Sequence, residues 1–315
     1  MAAPPRAAGP ERHDGGVGRA VPPRHIAGAI LVAVIWGFNF AAIRIGLDSF
    51  PPLLMTALRF VVAAIPVLWL ARPANASWPL MLAVAFTWYV GQFVLLFSAM
   101  AESVPPGLAA VIVHTQAPLT IVFALLIGER PTRKQAAGVG IAVLGLALVG
   151  ASVGGAGIGA VTVIGFGLAL MSATSWAAGN ILSKRLGRVD LNMVAWLSLL
   201  APLPSLALSL WFEGYAAIVT SLANASWASW LAIAYLAVMA TLVAYLIWGS
   251  LLRLYPASAV TPFALLVPVI SAIVSYIAFD ERFGPLRLSG MALIVAGLAV
   301  IAWPAARRTM DGRPG

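Results

Sequence analysis

Residues 36–47, WGFNFAAIRIGL, and residues 175–187, SWAAGNILSKRLG, decide how this chain is built. Asn39, Arg44 and Gly46 return as Asn180, Arg185 and Gly187, each 141 positions later, and Trp36 precedes Trp176 by 140. The correspondence continues along each half. Pro106 and Pro118 return as Pro256 and Pro268 at a spacing of 150, and Glu129, Gly138 and Gly145 as Glu281, Gly290 and Gly297 at 152. Matches that keep their order over so long a stretch point to an internal duplication.

Both segments lie in long apolar runs. Of the 315 residues 62% are hydrophobic and 9% charged, with a mean hydropathy of +0.98. Soluble domains average roughly 45–50% apolar and about 25% charged, so lipid must be the solvent for most of this chain. Ten apolar runs follow one another, near 24–47, 52–71, 78–100, 105–127, 133–150, 161–185, 190–212, 226–253, 256–278 and 285–304. A bilayer-crossing helix takes roughly 20 residues, and a backbone in hydrocarbon must satisfy its own hydrogen bonds. The expected fold is therefore an all-α integral membrane protein with ten transmembrane helices. Five spans per copy is an odd number, so the second copy enters the membrane upside down. That gives two inverted five-helix repeats, residues 24–150 and 161–304, an architecture of transporters with a site near the midplane.

Loop charge agrees. With both termini in the cytoplasm, 15 of the 19 Lys and Arg residues fall on that side, as the positive-inside rule requires. Only Arg44, Arg59, Arg282 and Arg287 lie toward the other. Residues 1–23, rich in Pro, Gly, Ala and Arg, read as a disordered cytoplasmic tail, and residues 305–315 as a second tail. The first apolar run is too long for a signal peptide, so it reads as a retained span. The expected location is the cell inner membrane, multi-pass, with lipids as neighbours. The net charge of +9 sits in short loops and tails, not in a basic stripe, which excludes nucleic acid as a partner.

Polar groups inside spans are costly and mark candidate sites. Trp36 and Asn39 share a face of the first span, with Arg44 about a turn further out, and the second span carries Arg59. Two readings fit the arginines: their long stems snorkel to the interface, with Arg44 paired to Asp48, or they face a cavity. His114 lies mid-span beside Gln116 and Pro118, and is the only intramembrane group that titrates near neutral pH; packing is its plainer reading. Gln92, Asn180, Tyr245 and Ser271 are further lining candidates. Trp88, Trp176 and Trp248 read first as packing or interface anchors. Small residues in the fifth and tenth spans allow close helix contact, within one protomer or between two. The spans hold basic groups but no acid well inside, so a substrate carboxylate is the expected partner of Arg44 and Arg59, with Trp36 and Asn39 meeting the rest of a small zwitterion.

Several function classes fall away. There is no Cys, hence no disulfide, thiol nucleophile or Cys-ligated metal. No zinc, nucleophile-elbow or nucleotide-binding motif occurs, so neither an enzyme nor a cofactor is expected.

The paired opening segments, PPGLAAV and PASAV at the starts of the fourth and ninth spans, and GER and DER at their ends resemble EamA-type drug/metabolite transporters over roughly residues 26–303. The resemblance implies ten helices, inverted repeats, a central cavity and export of amino acids or related metabolites, of the cysteine and O-acetylserine type. Export by alternating access is the leading expectation. A membrane-embedded enzyme or lipid flippase, or a multidrug exporter of the same superfamily, is the alternative. The duplication and the missing catalytic constellation favour transport.

Overall fold

The structure, a computed structural model, describes residues 22–73, 76–154, 160–186 and 189–302. The tail 305–315, the tail 1–23 except its last two residues, and Gly187 and Arg188 lie outside the described residues. The first half supplies α1 (Pro23–Gly46), α2 (Pro52–Ala64, drawn out by a 3-10 turn to Leu68), α3 (Trp78–Glu102), α4 (Pro106–Leu126) and α5 (Arg133–Ala151). The second half supplies α6 (Val163–Ser183), α7 (Leu191–Phe212), α8 (Tyr215–Asn224), α9 (Trp227–Leu254), α10 (Thr261–Phe279) and α11 (Pro285–Ala302). Among the described residues no strand occurs, and eight helices are long and apolar enough to cross a membrane.

The two remaining expected spans are α2 and α6. With its 3-10 turn α2 is apolar but short, ending at Leu68 where Pro66 has tightened the last turn. α6 has 21 residues, but Ser172, Thr174, Ser175 and Asn180 dilute its hydropathy. One helix was not expected. α8 occupies what reads as a loop, and it begins after Gly214, whose φ of +85° turns the chain in a way a side chain would resist.

Side chains report the surrounding solvent. Leu126, Leu203 and Ile277 are each at least 76% exposed on the flanks of the bundle, a cost in water and none in lipid. Trp69 and Trp78 stand exposed near one end and Trp211, Tyr215 and Trp227 near the other, as interfacial aromatic belts do. The charged loops split likewise. Arg72, Glu129, Lys184 and Arg253 lie at one end, here the Lys184 end. Asp48, Glu213, Glu281 and Arg287 lie at the other, the Asp48 end.

Inside the bundle, α1 packs on α9 and α10, α6 on α3 and α4, and α2 on α7. α5 and α11 form a pair of their own, so the small-residue stripe serves contact within one protomer. Gly138 meets Gly297 and Gly145 meets Gly290 at backbone distance: a Cβ on any of the four would come within 2.8 Å of its partner's carbonyl oxygen. The largest core cluster gathers Phe40, Ile43, Phe50, Met55, Phe97, Leu108 and Leu236 from both halves.

Two spans depart from α geometry at matching places. α3 opens into a π turn at Phe86–Gly91 and α9 at Tyr235–Val243, 149 residues apart at their first positions. π turns inside α-helices cluster at functional sites. α4 and α10 are also interrupted, α4 at Thr115 and α10 across Thr261–Leu265, each a few residues before the matched prolines Pro118 and Pro268. A proline denies its helix one N–H and crowds the preceding turn.

Candidate functional site

Arg59 is the most unusual side chain in the bundle. It sits on the third turn of α2, 3% exposed, with no carboxylate partner among the described residues. Its Nε and Nη2 both donate to one atom, Thr241 Oγ1 on α9, at 3.3 and 3.0 Å. The Phe93 ring lies 4.0 Å from the guanidinium carbon and the Phe60 ring 5.4 Å, a cation–π shelf. Phe60 in turn stacks on Tyr89 at 4.6 Å. Tyr89 and Tyr245 are within electrostatic reach of the charge, while Nη1 is buried without a hydrogen-bond acceptor. Thr241 donates its own proton to the Leu236 carbonyl at 2.8 Å, five residues back, as the π turn dictates. Tyr89 and Thr241 therefore bring both π turns to one guanidinium.

An aromatic group adjoins this charge. Tyr245 meets Trp36 edge-on at 5.6 Å, and Trp36 packs against Trp248 at 5.2 Å. The Trp36 indole donates to the Ala240 carbonyl at 3.0 Å, next to Thr241, and the Tyr235 hydroxyl donates to the Ile35 carbonyl at 2.9 Å. These bonds lock α1 to the π turn of α9.

A second polar group forms where α6 crosses α3 and α4. Asn180 accepts from Trp88 Nε1 at 3.0 Å and donates to Gln116 Oε1 at 2.6 Å and Thr120 Oγ1 at 3.0 Å. Ser172 and Ser175 donate to the carbonyls of Gln92 and Thr87, tying α6 to the π turn of α3. His114 Nδ1 lies 2.7 Å from the Ala110 carbonyl and must be the protonated nitrogen there, which leaves Nε2 as an acceptor. Its ring meets Trp176 edge-on.

The expected site residues thus divide. Arg59, Trp36 and Tyr245 come together, and Asn180 joins Gln116. Asn39 and Gln92 are each 6% exposed, and neither side chain has a hydrogen-bond partner among the described residues. Arg44 is half exposed and ion-paired with Asp48 at the Asp48 end. Ser271 is buried and donates to the Pro106 carbonyl, joining α10 to α4. Sequence reading missed Thr241, Tyr89, Phe60 and Phe93. Thr241 is one of many hydroxyls in apolar runs, and the three aromatics read as core, so only their approach to Arg59 marks them.

Two open clefts lie elsewhere. One of about 440 Å³ is lined by Leu82, Phe86, Val90, Leu182 and Leu200 on the lipid-facing flank. Another of about 430 Å³ at the Asp48 end is lined by Asp48, Ser49, Thr220, Ser221 and Asn224 beneath α8. Neither of these two includes Arg59, which is buried, or the Asn180 group, whose side chains are partly exposed. Among the described residues no cluster of His, Asp and Glu is fit to hold a metal.

Known proteins give this geometry a context. A model of the EamA-like transporter family matches residues 24–151 and 163–303, one match in each half. The chain is 38% identical over 278 residues to a probable amino-acid metabolite efflux pump of Salmonella typhimurium, covering 86% of this chain and 92% of that one. It is 25% identical over 304 residues to a probable terminal-alkyne amino-acid exporter of Streptantibioticus cattleyicolor, covering 90% and 94%. A crystal structure shares its fold with a TM-score of 0.59 at 23% identity, covering 89% of this chain and 96% of that one. The chain therefore belongs to the EamA-like transporter family, as a multi-pass membrane transporter.

Proposed function

We propose that this protein exports small amino-acid-like metabolites, of the cysteine and O-acetylserine type, across the inner membrane. It works by alternating access between two inverted five-helix repeats, residues 24–150 and 161–304, with α2 and α6 completing ten spans. The observation that carries this reading is the crossing of α5 and α11. Gly138 meets Gly297 and Gly145 meets Gly290, and a shift of 152 residues turns the first contact into the second. Two copies related by a two-fold axis in the membrane plane would produce such reciprocal, antiparallel pairs, so the crossing supports that relation. The matched π turns of α3 and α9 support the same relation. The cargo class is supported by the names of the relatives, an amino-acid metabolite efflux pump and an amino-acid exporter.

Both termini are cytoplasmic in this reading, because that puts most of the Lys and Arg residues inside. The Asp48 end is then external, and several contacts between the repeats close it. Glu213 holds the Leu53 and Leu54 amides, Glu281 holds the Gly107 amide, and Ser49 meets Ser229.

Efflux of labelled cysteine and O-acetylserine from proteoliposomes, with other amino acids as competitors, tests the function. Purified protein that moves none of them contradicts it. Reporter fusions test the topology: residue 315 and the 184–188 loop belong in the cytoplasm, and the 151–160 and 213–225 loops outside. A cytoplasmic 151–160 loop breaks the inverted relation.

A further inference from the structure

We propose that the Nε/Nη2 edge of Arg59 is the receptor for the substrate's carboxylate, and that Thr241 is the resident ligand that substrate displaces. This rests on the export reading above and names the chemical group it recognises.

The argument starts from an imbalance of donors. A guanidinium carries five N–H donors and no acceptor. At Arg59 two of them share a single neutral hydroxyl oxygen, and Nη1 has no acceptor at all. Leaving a buried charge without a partner in a membrane span is costly, and such charges in spans mark substrate pathways. Phe93 and Phe60 supply a face for the cation, but they cannot accept its in-plane hydrogen bonds.

The edge that Thr241 occupies is the telling one. Nε and Nη2 point the same way in the guanidinium plane, at the spacing of the two oxygens of a carboxylate, which binds there through parallel bonds of about 2.7–2.9 Å. Thr241 spans that fork with one oxygen, at 3.3 and 3.0 Å. A carboxylate would replace two contacts shared on one neutral oxygen with two bonds in which donor and acceptor are both charged. Thr241 would lose little by withdrawing, because its proton is already committed to the Leu236 carbonyl.

The surroundings can move. Thr241 belongs to the π turn of α9 and Tyr89 to that of α3, so each half contributes one wide turn beside the charge. Reverting a π turn to α geometry rotates the residues after it by one position, which would carry Thr241 away from the fork. Substrate binding and helix rearrangement then share one hydrogen bond.

The test uses full-length protein in proteoliposomes. Its probes are O-acetyl-L-serine, L-cysteine and their methyl esters. In the wild type, each ester is expected to compete at least tenfold more weakly than its acid, since methylation removes the negative charge and blocks one of the two oxygens that would meet the fork. Arg59→Lys keeps a cation but loses the fork. It should raise KM at least tenfold with a smaller change in kcat, and Arg59→Gln should do more. Thr241→Val removes the competing acceptor and is expected to lower KM severalfold, with Thr241→Ser restoring it. Equal competition by acid and ester overturns the proposal without any variant having to fold, as does a wild-type KM in Arg59→Gln. A wild type that moves neither acid nor ester sinks the export reading itself, and the receptor with it.

Discussion

Gly138 of α5 and Gly297 of α11 are pressed together so closely that a Cβ on Gly297 would lie 2.6 Å from the Gly138 carbonyl oxygen. Gly145 and Gly290 repeat the contact further along. Backbones that touch gain dispersion over their whole crossing, which is how small residues hold helices together in lipid.

Enlarging these glycines should therefore be costly. Gly145→Val or Gly297→Val must push whole helices apart, since the neighbouring atoms are backbone, and overpacking costs roughly 1–3 kcal/mol. Gly140 lies on α5 with nothing within 4 Å of its missing Cβ. Gly140→Ala should be neutral or slightly stabilising. Thermal unfolding in detergent separates the two cases, and similar Tm values would refute the tight crossing.

Glu213 supplies the acceptors missing at the start of α2. Its two carboxylate oxygens take the Leu53 and Leu54 amides at 2.7 and 3.0 Å, and one also takes the Ser209 hydroxyl at 2.6 Å. The first N–H groups of a helix have no internal partner, and Pro51 has no side-chain acceptor to offer. Glu213→Ala should lower stability by about 1–2 kcal/mol, the range of a lost N-cap. Glu213→Gln should lose less, because one acceptor oxygen remains. Hydrogen exchange of the Leu53 and Leu54 amides provides the direct reading.

Glu281 should impose a pH dependence. Burial in the loop after α10 pushes its carboxyl up from the ordinary 4.5 to about 7, although the Gly107 and Leu108 amides and the Arg287 charge pull it down. Between those values the folded protein keeps a proton that the unfolded chain has released. Stability must then fall as pH rises across that window, and stay level with respect to this group on either side. Glu281→Gln keeps an acceptor for Gly107 and does not titrate. Its Tm should gain on that of the wild type from pH 4.5 to 7.5; a constant difference would contradict the assignment.

Asn39 and Asn180 stand at matching places in the two halves but in different company. Asn180 has three side-chain partners, Trp88, Gln116 and Thr120, and Asn39 has none among the described residues. A side-chain hydrogen bond in a bilayer is worth about 0.6 kcal/mol on average, so Asn180→Ala should cost roughly 1–2 kcal/mol. Asn39→Ala should leave Tm nearly unchanged and affect transport instead. A large Tm loss for Asn39→Ala would mean it has a structural partner.

The spans were legible because hydropathy is a property of consecutive residues. Runs of nearly continuous apolar side chains mark them without knowledge of any neighbour, and the helix ends fall within a few residues of the expected ones. α10 is the exception: its run opens at residue 256, but one α turn at Ala257–Val260 gives way to a 3-10 stretch at Thr261–Leu265 before α geometry resumes at Leu266, because Pro262 and Pro268 unsettle the first turns. The duplication was legible for a similar reason, since a copied order of Pro, Gly and Glu survives as fixed spacings. α8 escaped notice because ten residues of mixed polarity between two spans look like a loop until Gly214 turns them onto the bundle.

The sequence by itself determined that this chain lives in lipid, that one family pattern recurs in both halves, and that Arg59 carries a charge into an apolar span. Its choice between snorkelling and burial was beyond the sequence, because that depends on which side chains arrive from elsewhere. Thr241 lies 182 residues away, on a helix whose turn is widened by one residue, and no local pattern announces either fact. Arg44 pairs locally with Asp48, four residues on, as its sequence spacing allows, whereas tertiary packing alone closed Arg59 inside against Phe93 and Thr241. The physical reason is reach. Arg44, near the end of its helix, has an acid one turn away at the interface, while Arg59, deep in α2, finds only a ring face and a single hydroxyl.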